Sequence, residues 1–104
     1  MKVQLNSLAR VTISTAGVPV QVSSTLIIDV VSVRVTADAS NTGSVYIGGS
    51  TVTSTSGEEL GPNEGLEVSG DDYRSAAMTI DLTSIYVDTA TNGNKVRVQY
   101  LKRV

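Results

Sequence analysis

Apolar and polar residues alternate in short runs along most of this chain. "KVQL" and "RVTIS", within residues 1–13, have period two and predict two short strands. "VPVQVS" would set Val18, Val20 and Val22 on one face. Pro19 keeps it at a sheet edge. "TLIIDVVSVRVTAD", residues 25–38, is the strongest strand signal. Val31, Val33 and Val35 face one way and Ser32, Arg34 and Thr36 the other. Its first half does not alternate. The apolar phase shifts across Asp29, which predicts a bulge near Asp29–Val30 or a strand buried on both faces.

"ASNTGS" is turn chemistry, with Asn41 and Gly43 suited to positive φ. Beyond it, "VYIGG" (Val45 and Ile47 against Tyr46) and "STVTSTS" are expected to form a hairpin-like pair. A loop rich in Gly, Pro and Asn leads into "GLEVS", another strand. "DDYRSAA" reads as a turn or a single helical turn. "MTIDLTSIYVDT" predicts two short strands parted near Thr83–Ser84, and Asn92–Gly93 is a hairpin signal. "KVRVQYL" closes the series, with Val96, Val98 and Tyr100 against Arg97 and Gln99. "SVYIGG" and "SIYVDT" repeat one pattern, either by coincidence or because the two strands hold equivalent places in two sheets. About eight to ten short strands with closely spaced turns predict one all-β domain over residues 1–104. The expected form is a β-sandwich of jelly-roll or Greek-key type with about eight antiparallel strands, residues 1–13 serving as an N-terminal arm or edge strand.

Composition sharpens this reading. The chain has 16 Val and 25 Ser plus Thr, 4 Tyr, and no Phe or Trp. Val is stiff at χ1 and packs well on a pleated surface. A core without large aromatics is thin, so self-association or docking on a larger body is expected to help it. Asp29 and Asp81 interrupt apolar runs. If buried they need hydrogen bonds or an ion-pair partner such as Arg34 or Arg97.

Charge and missing residue types narrow the chemistry. Net charge is −2, which argues against nucleic acid as the main partner. Lys95, Arg97, Lys102 and Arg103 gather near the end of the sequence, either as the charged face of a strand or as a patch for an acidic partner. No apolar run reaches membrane-spanning length, and "MKVQLNSLARVTIS" lacks the apolar core of a signal peptide. A soluble protein made in a cytoplasm is the expectation. Without His or Cys there can be no Ser–His–Asp triad, thiol chemistry or disulfide. "GEELGPNEG" lacks the Lys–Ser/Thr ending of a phosphate loop. Glu58–Glu59 and Asp71–Asp72 are paired carboxylates, but strand neighbours point to opposite faces and both pairs lie in turn-rich sequence. Calcium at Asp71 and Asp72 would match no EF-hand spacing. The expectation is no enzymatic activity, no cofactor and no metal.

"NTGSVYIGG", "GEELGPNE", "IYV" and "VRVQYL" stand in order across residues 30–101. Their succession resembles small virion structural proteins of tailed bacteriophages: an Asn–Thr–Gly turn before a tyrosine-bearing strand, a Gly-x-x-Leu-x-Pro-x-Glu loop, an Ile–Tyr–Val strand, and a last strand ending near Tyr–Leu. The first 25 residues carry no part of the likeness. The resemblance implies a capsid cement or decoration protein on the virion surface, assembled in the bacterial host cytoplasm. Its implied partners are the major capsid protein and further copies of itself, as a trimer, with no nucleic acid or membrane. The competing reading is a tail, head-fibre or baseplate module that contacts another virion protein or a host glycan. The residues expected at an interface are Lys2, Arg10, Tyr46, Tyr73, Arg74, Arg97, Lys102 and Arg103. In addition, Met1 to Arg10 could act as an arm pairing with a neighbour's sheet edge.

Overall fold

The computed structural model describes residues 2–69 and 79–104. The expected turn at "DDYRSAA", with Asp71, Asp72, Tyr73 and Arg74, lies outside the described residues, as does Met78. Alternation produces most strands where expected, with Glu58–Leu60 a strand in place of the expected loop: β1 (Val3–Ser7), β2 (Val11–Thr12), β3 (Val20–Gln21), β4 (Val30–Ala37), β5 (Val45–Gly48), β6 (Glu58–Leu60), β7 (Gly65–Ser69), β8 (Tyr86–Thr89) and β9 (Lys95–Arg103). A 3₁₀ turn, Leu82–Ser84, precedes β8, with the Asp81 side chain capping it. Every strand pair among the described residues is antiparallel.

The strands form two sheets. One runs β1-β9-β4-β7, with β2 also on β9, and the other runs β3-β8-β5-β6. The chain makes four passes, each contributing to both sheets: β1–β3, β4–β5, β6–β7 and β8–β9. Pass order across the first sheet is first, fourth, second, third, and the second sheet repeats it.

Between the sheets lies the core. Val33, Val35, Val96 and Val98 come from the first, and Val45, Ile47, Leu60 and Val87 from the second. Ile13, Val22, Val30, Ala37 and Leu82 complete it. β4 and β9 lie side by side with Val35 opposite Val98 and Ala37 opposite Val96, so one layer of small branched residues is set by a single register. The bulge expected near Asp29–Val30 is present. The β4–β9 register shifts between Val30 and Ser32, and Asp29 has φ 63°. The shift lets both Val30 and Val31 be buried.

Several local expectations need correction. Residues 50–56 are turns, and β5 pairs instead with Glu58–Leu60. Hydroxyls explain this: Ser56 Oγ accepts from Thr53 N at 2.9 Å and Thr53 Oγ1 accepts from Thr55 N at 3.3 Å, bonds that compete with a ladder. Val52, the one large apolar residue there, is buried against Gly48 and Gly57. The chain around Leu26–Asp29 is not strand, and Leu26 and Ile28 are exposed. Only Tyr86–Thr89 is strand in the described part of "MTIDLTSIYVDT". Asn92–Gly93 makes no hairpin: β8 and β9 belong to different sheets, and the loop carries the chain between them, with Gly93 at φ 90°. The echoed strands β5 and β8 are neighbours in one sheet, with Tyr46 opposite Asp88. Asp29 and Asp81 are exposed, so neither needs Arg34 or Arg97. Residues 3–7 pair with β9 of their own chain as an edge strand.

Two pairs of substitutions check this packing by urea unfolding. Ile13→Ala empties a fully buried site and is expected to cost about 2–5 kcal/mol, whereas Leu26→Ala at an exposed position stays within about 0.5 kcal/mol. A Cβ at residue 57 would stand 2.5 Å from Val52 Cγ2, while one at Gly49 meets nothing within 4 Å. Gly57→Ala therefore costs about 1–3 kcal/mol, and Gly49→Ala is close to neutral.

Candidate interaction surface

β9 supplies four of the eight Lys and Arg side chains, and strand parity decides where they go. Val96, Val98 and Tyr100 face or flank the core, so Arg97 and Arg103 emerge on the outer face and Lys102 on the inner side near the sheet's end. Arg103 lies six positions beyond Arg97, roughly 20 Å along an extended strand. The sequence cluster is thereby divided into two loci.

At the first, Arg10 and Arg97 converge on Asp38, just beyond β4. Each guanidinium Nε lies 3.7 Å from Asp38 Oδ1. The aspartate is buried, while the two arginines are largely exposed. Ser40 donates to Asp38 Oδ2 through both its hydroxyl and its backbone N–H. The Ser40 hydroxyl bond is the main cause holding the Asp38 carboxyl below its ordinary value. Partial desolvation opposes it, and the Ser40 N–H and the two arginines add to it. Ser7, Leu8, Arg10, Thr36, Arg97 and Gln99 line a groove of about 280 Å³ beside this cluster.

The second locus lies at the other end of the β1–β9 pair. Arg103 stands opposite Val3 and Lys102 opposite Gln4. The main chain is fastened there, Val104 N donating to Lys2 O at 3.1 Å and Arg103 N to Asp29 O at 2.9 Å. Lys2, Lys102 and Arg103 thus sit beside the exposed apolar residues Val3, Leu5 and Val104.

Tyr46 belongs to neither locus. It stands on the second sheet between Glu59 and Asp88 and lines a hollow of about 390 Å³ with Gly17, Thr53, Ser54 and Asp88. Tyr73 and Arg74 lie outside the described residues. The six expected interface residues that the structure describes do not make one patch.

Sequence reasoning missed a polar network at the sandwich end that holds Asp38. Asn41 exchanges hydrogen bonds with Lys95, its Nδ2 donating to Lys95 O and its Oδ1 accepting from Lys95 N, both at 2.8 Å. Buried Asn94 does the same with Thr42 and also donates to Thr89 Oγ1. Thr89 Oγ1 donates in turn to Ser44 O. Asp88 Oδ1 accepts from Gly17 N and Thr89 N. Among the described residues no buried side-chain N or O lacks a partner, and no group of three His, Cys, Asp or Glu could hold a metal. The available signal was the placing of Asn and Asp at strand ends beside Gly, where side chains bond nearby main chain.

Asp38 gives this end of the molecule an acid limit. A carboxyl whose folded value is depressed contributes stability above its unfolded value, about 3.9, and loses it as pH falls through the lower folded value. Thermal melts between neutral pH and pH 2 are expected to show Tm falling below about pH 4, with a shallower fall in Ser40→Ala, which lacks the principal hydrogen bond.

Comparison of the chain with family models, curated proteins and solved structures found no match in any of the three. The functional reading therefore rests on the residues, their spacing and the geometry described above.

Proposed function

We propose that this chain is a non-enzymatic virion structural protein of a tailed phage. It binds the capsid as a cement or decoration protein and assembles as a trimer on the outer shell, after synthesis in the host cytoplasm. One observation carries the reading. The four motifs behind the resemblance to phage virion proteins form one continuous scaffold rather than scattered strands. The Asn41–Gly43 turn is latched to Lys95 and Asn94, at the start of the last motif strand. β5 lies between β6, from the Gly57–Glu64 loop, and β8, from the Ile85–Val87 motif. That loop docks on β4, Asn63 N donating to Ala37 O and Ala37 N to Glu64 O.

We further read the sandwich as a jelly roll. The identical pass order in both sheets is what a long hairpin gives when doubled and wrapped across two layers. Jelly rolls serve as viral capsid domains and also as lectins, so this analogy alone does not select between them. The charged loci and exposed apolar residues along β1 and β9 favour protein partners, the major capsid protein and sister copies. The Tyr46 hollow, with a half-buried aromatic beside Asp88 and Ser54, favours the second reading, a fibre or tail module that binds a host glycan.

Co-sedimentation of the purified protein with procapsids and expanded heads tests the first reading. Saturable binding is expected, and free protein at every ratio would overturn it. A glycan array tests the second: hits that vanish in Tyr46→Ala would support it, and an array without hits would remove it.

A further inference from the structure

Six of the eight Lys and Arg residues lie between residues 2–12 and 95–103, stretches that contain no Asp or Glu. These are β1, β2 and β9, with the short link between β1 and β2. Residues 57–69 hold four Glu and no Lys or Arg. They include β6 and β7, at the far ends of the two sheet orders from β1 and β3. The sandwich is therefore mainly basic along one side and mainly acidic along the other, with Asp29 beside Arg103 and Arg34 opposite Glu67 as the exceptions. Asp38 neutralises part of the charge of Arg10 and Arg97 but leaves Lys2, Lys102 and Arg103 untouched. Three strand spacings separate β1 from β7, about 14 Å, which exceeds the screening length of about 8 Å at physiological ionic strength. Each side thus acts on a neighbour as a separate charge.

We propose that a second copy of this chain docks head to tail, the β1–β9 side of one molecule against the β6–β7 side of the next. The proposal rests on the self-assembly part of the reading above and names the surfaces and the kind of symmetry. A twofold contact would set basic side against basic side, or acidic against acidic, at an electrostatic cost. A sideways repeat without inversion sets the edge carrying Lys2, Lys102 and Arg103 against β7 with Glu67, with Glu58 and Glu59 of β6 in the facing sheet beside it. Contacts of this type close into rings when the rotation per step divides a full turn. Exposed Val3 and Leu5, 53% and 62% accessible, lie on the basic side and supply apolar area to bury.

Light scattering of the whole chain at low and high NaCl tests the wild type without any mutation. Assembly at low salt that weakens at least tenfold in affinity at high salt is expected. A monomer at every salt concentration, or an oligomer indifferent to salt, overturns the proposal. Charge reversal then identifies the surfaces, with folding of each variant verified by circular dichroism. Glu58→Lys/Glu59→Lys/Glu67→Lys and Lys102→Glu/Arg103→Glu should each be monomeric alone, and an equimolar mixture should form hetero-oligomers with equal numbers of the two variants, because they can only alternate. Variants that assemble alone as the wild type does, or a mixture that stays monomeric, overturn it. The same samples go into the head co-sedimentation: wild-type monomer that still binds heads would sink head-to-tail docking and spare the virion reading, whereas assembled wild-type protein that ignores heads would do the reverse.

Discussion

The constraint on which the rest of this structure depends is the short reach of its core side chains. Two facing sheets stand about 10 Å apart, and valine fills that gap only if each inward residue meets another directly. Among the described residues nothing aromatic spans the fully buried layer. Val33, Val35, Val96 and Val98 from one sheet and Val45 and Val87 from the other are at most 1% exposed. A slip of one residue between β4 and β9 would turn Arg97 and Gln99 inward and Val96 and Val98 out. Register is therefore set by small residues that tolerate no misalignment.

The bulge and the polar end network follow from the same constraint. Strands crossing such a thin layer must leave it quickly, and the chain passes between sheets at every pass. Each crossing frees main-chain groups from the ladders. At the 38–44 and 88–95 crossings, Asn41, Asn94, Thr89 and Asp88 satisfy them. Unpaired buried amides and carbonyls would each cost about 1–3 kcal/mol, so these side chains are part of the fold as much as the valines are. Asp38 joins this network to the surface, with one face on Ser40 and another toward Arg10 and Arg97.

Function follows from what remains after the interior is satisfied. The outer residues of β1 and β9 carry cations and a few uncovered apolar side chains, and the loop through β6 carries carboxylates. On the proposed reading, such a body would offer partners shape and charge, as a protein held in place among others does.

The sequence by itself determined the class of structure and the inward face of most strands. Alternation is a local property, and Val33, Val35, Val45, Ile47, Val96 and Val98 were all legible from it, whereas Val31, read on the same face, is the extra residue of the bulge and Val30 joins the core in its place. It also marked the bulge, because a phase shift across Asp29 is visible in a single run. Only the tertiary structure decided which strands pair. "STVTSTS" has strand composition, yet its hydroxyls bond their own turn and β6 takes its place. Asn92–Gly93 has hairpin chemistry, yet the core draws β8 and β9 into different sheets. The candidate surface was legible only as a list of cations. Its division into two loci came from strand parity, and the acidic side opposite it came from pass order. Pairing and placement depend on contacts between residues far apart in the chain, and no local pattern encodes those.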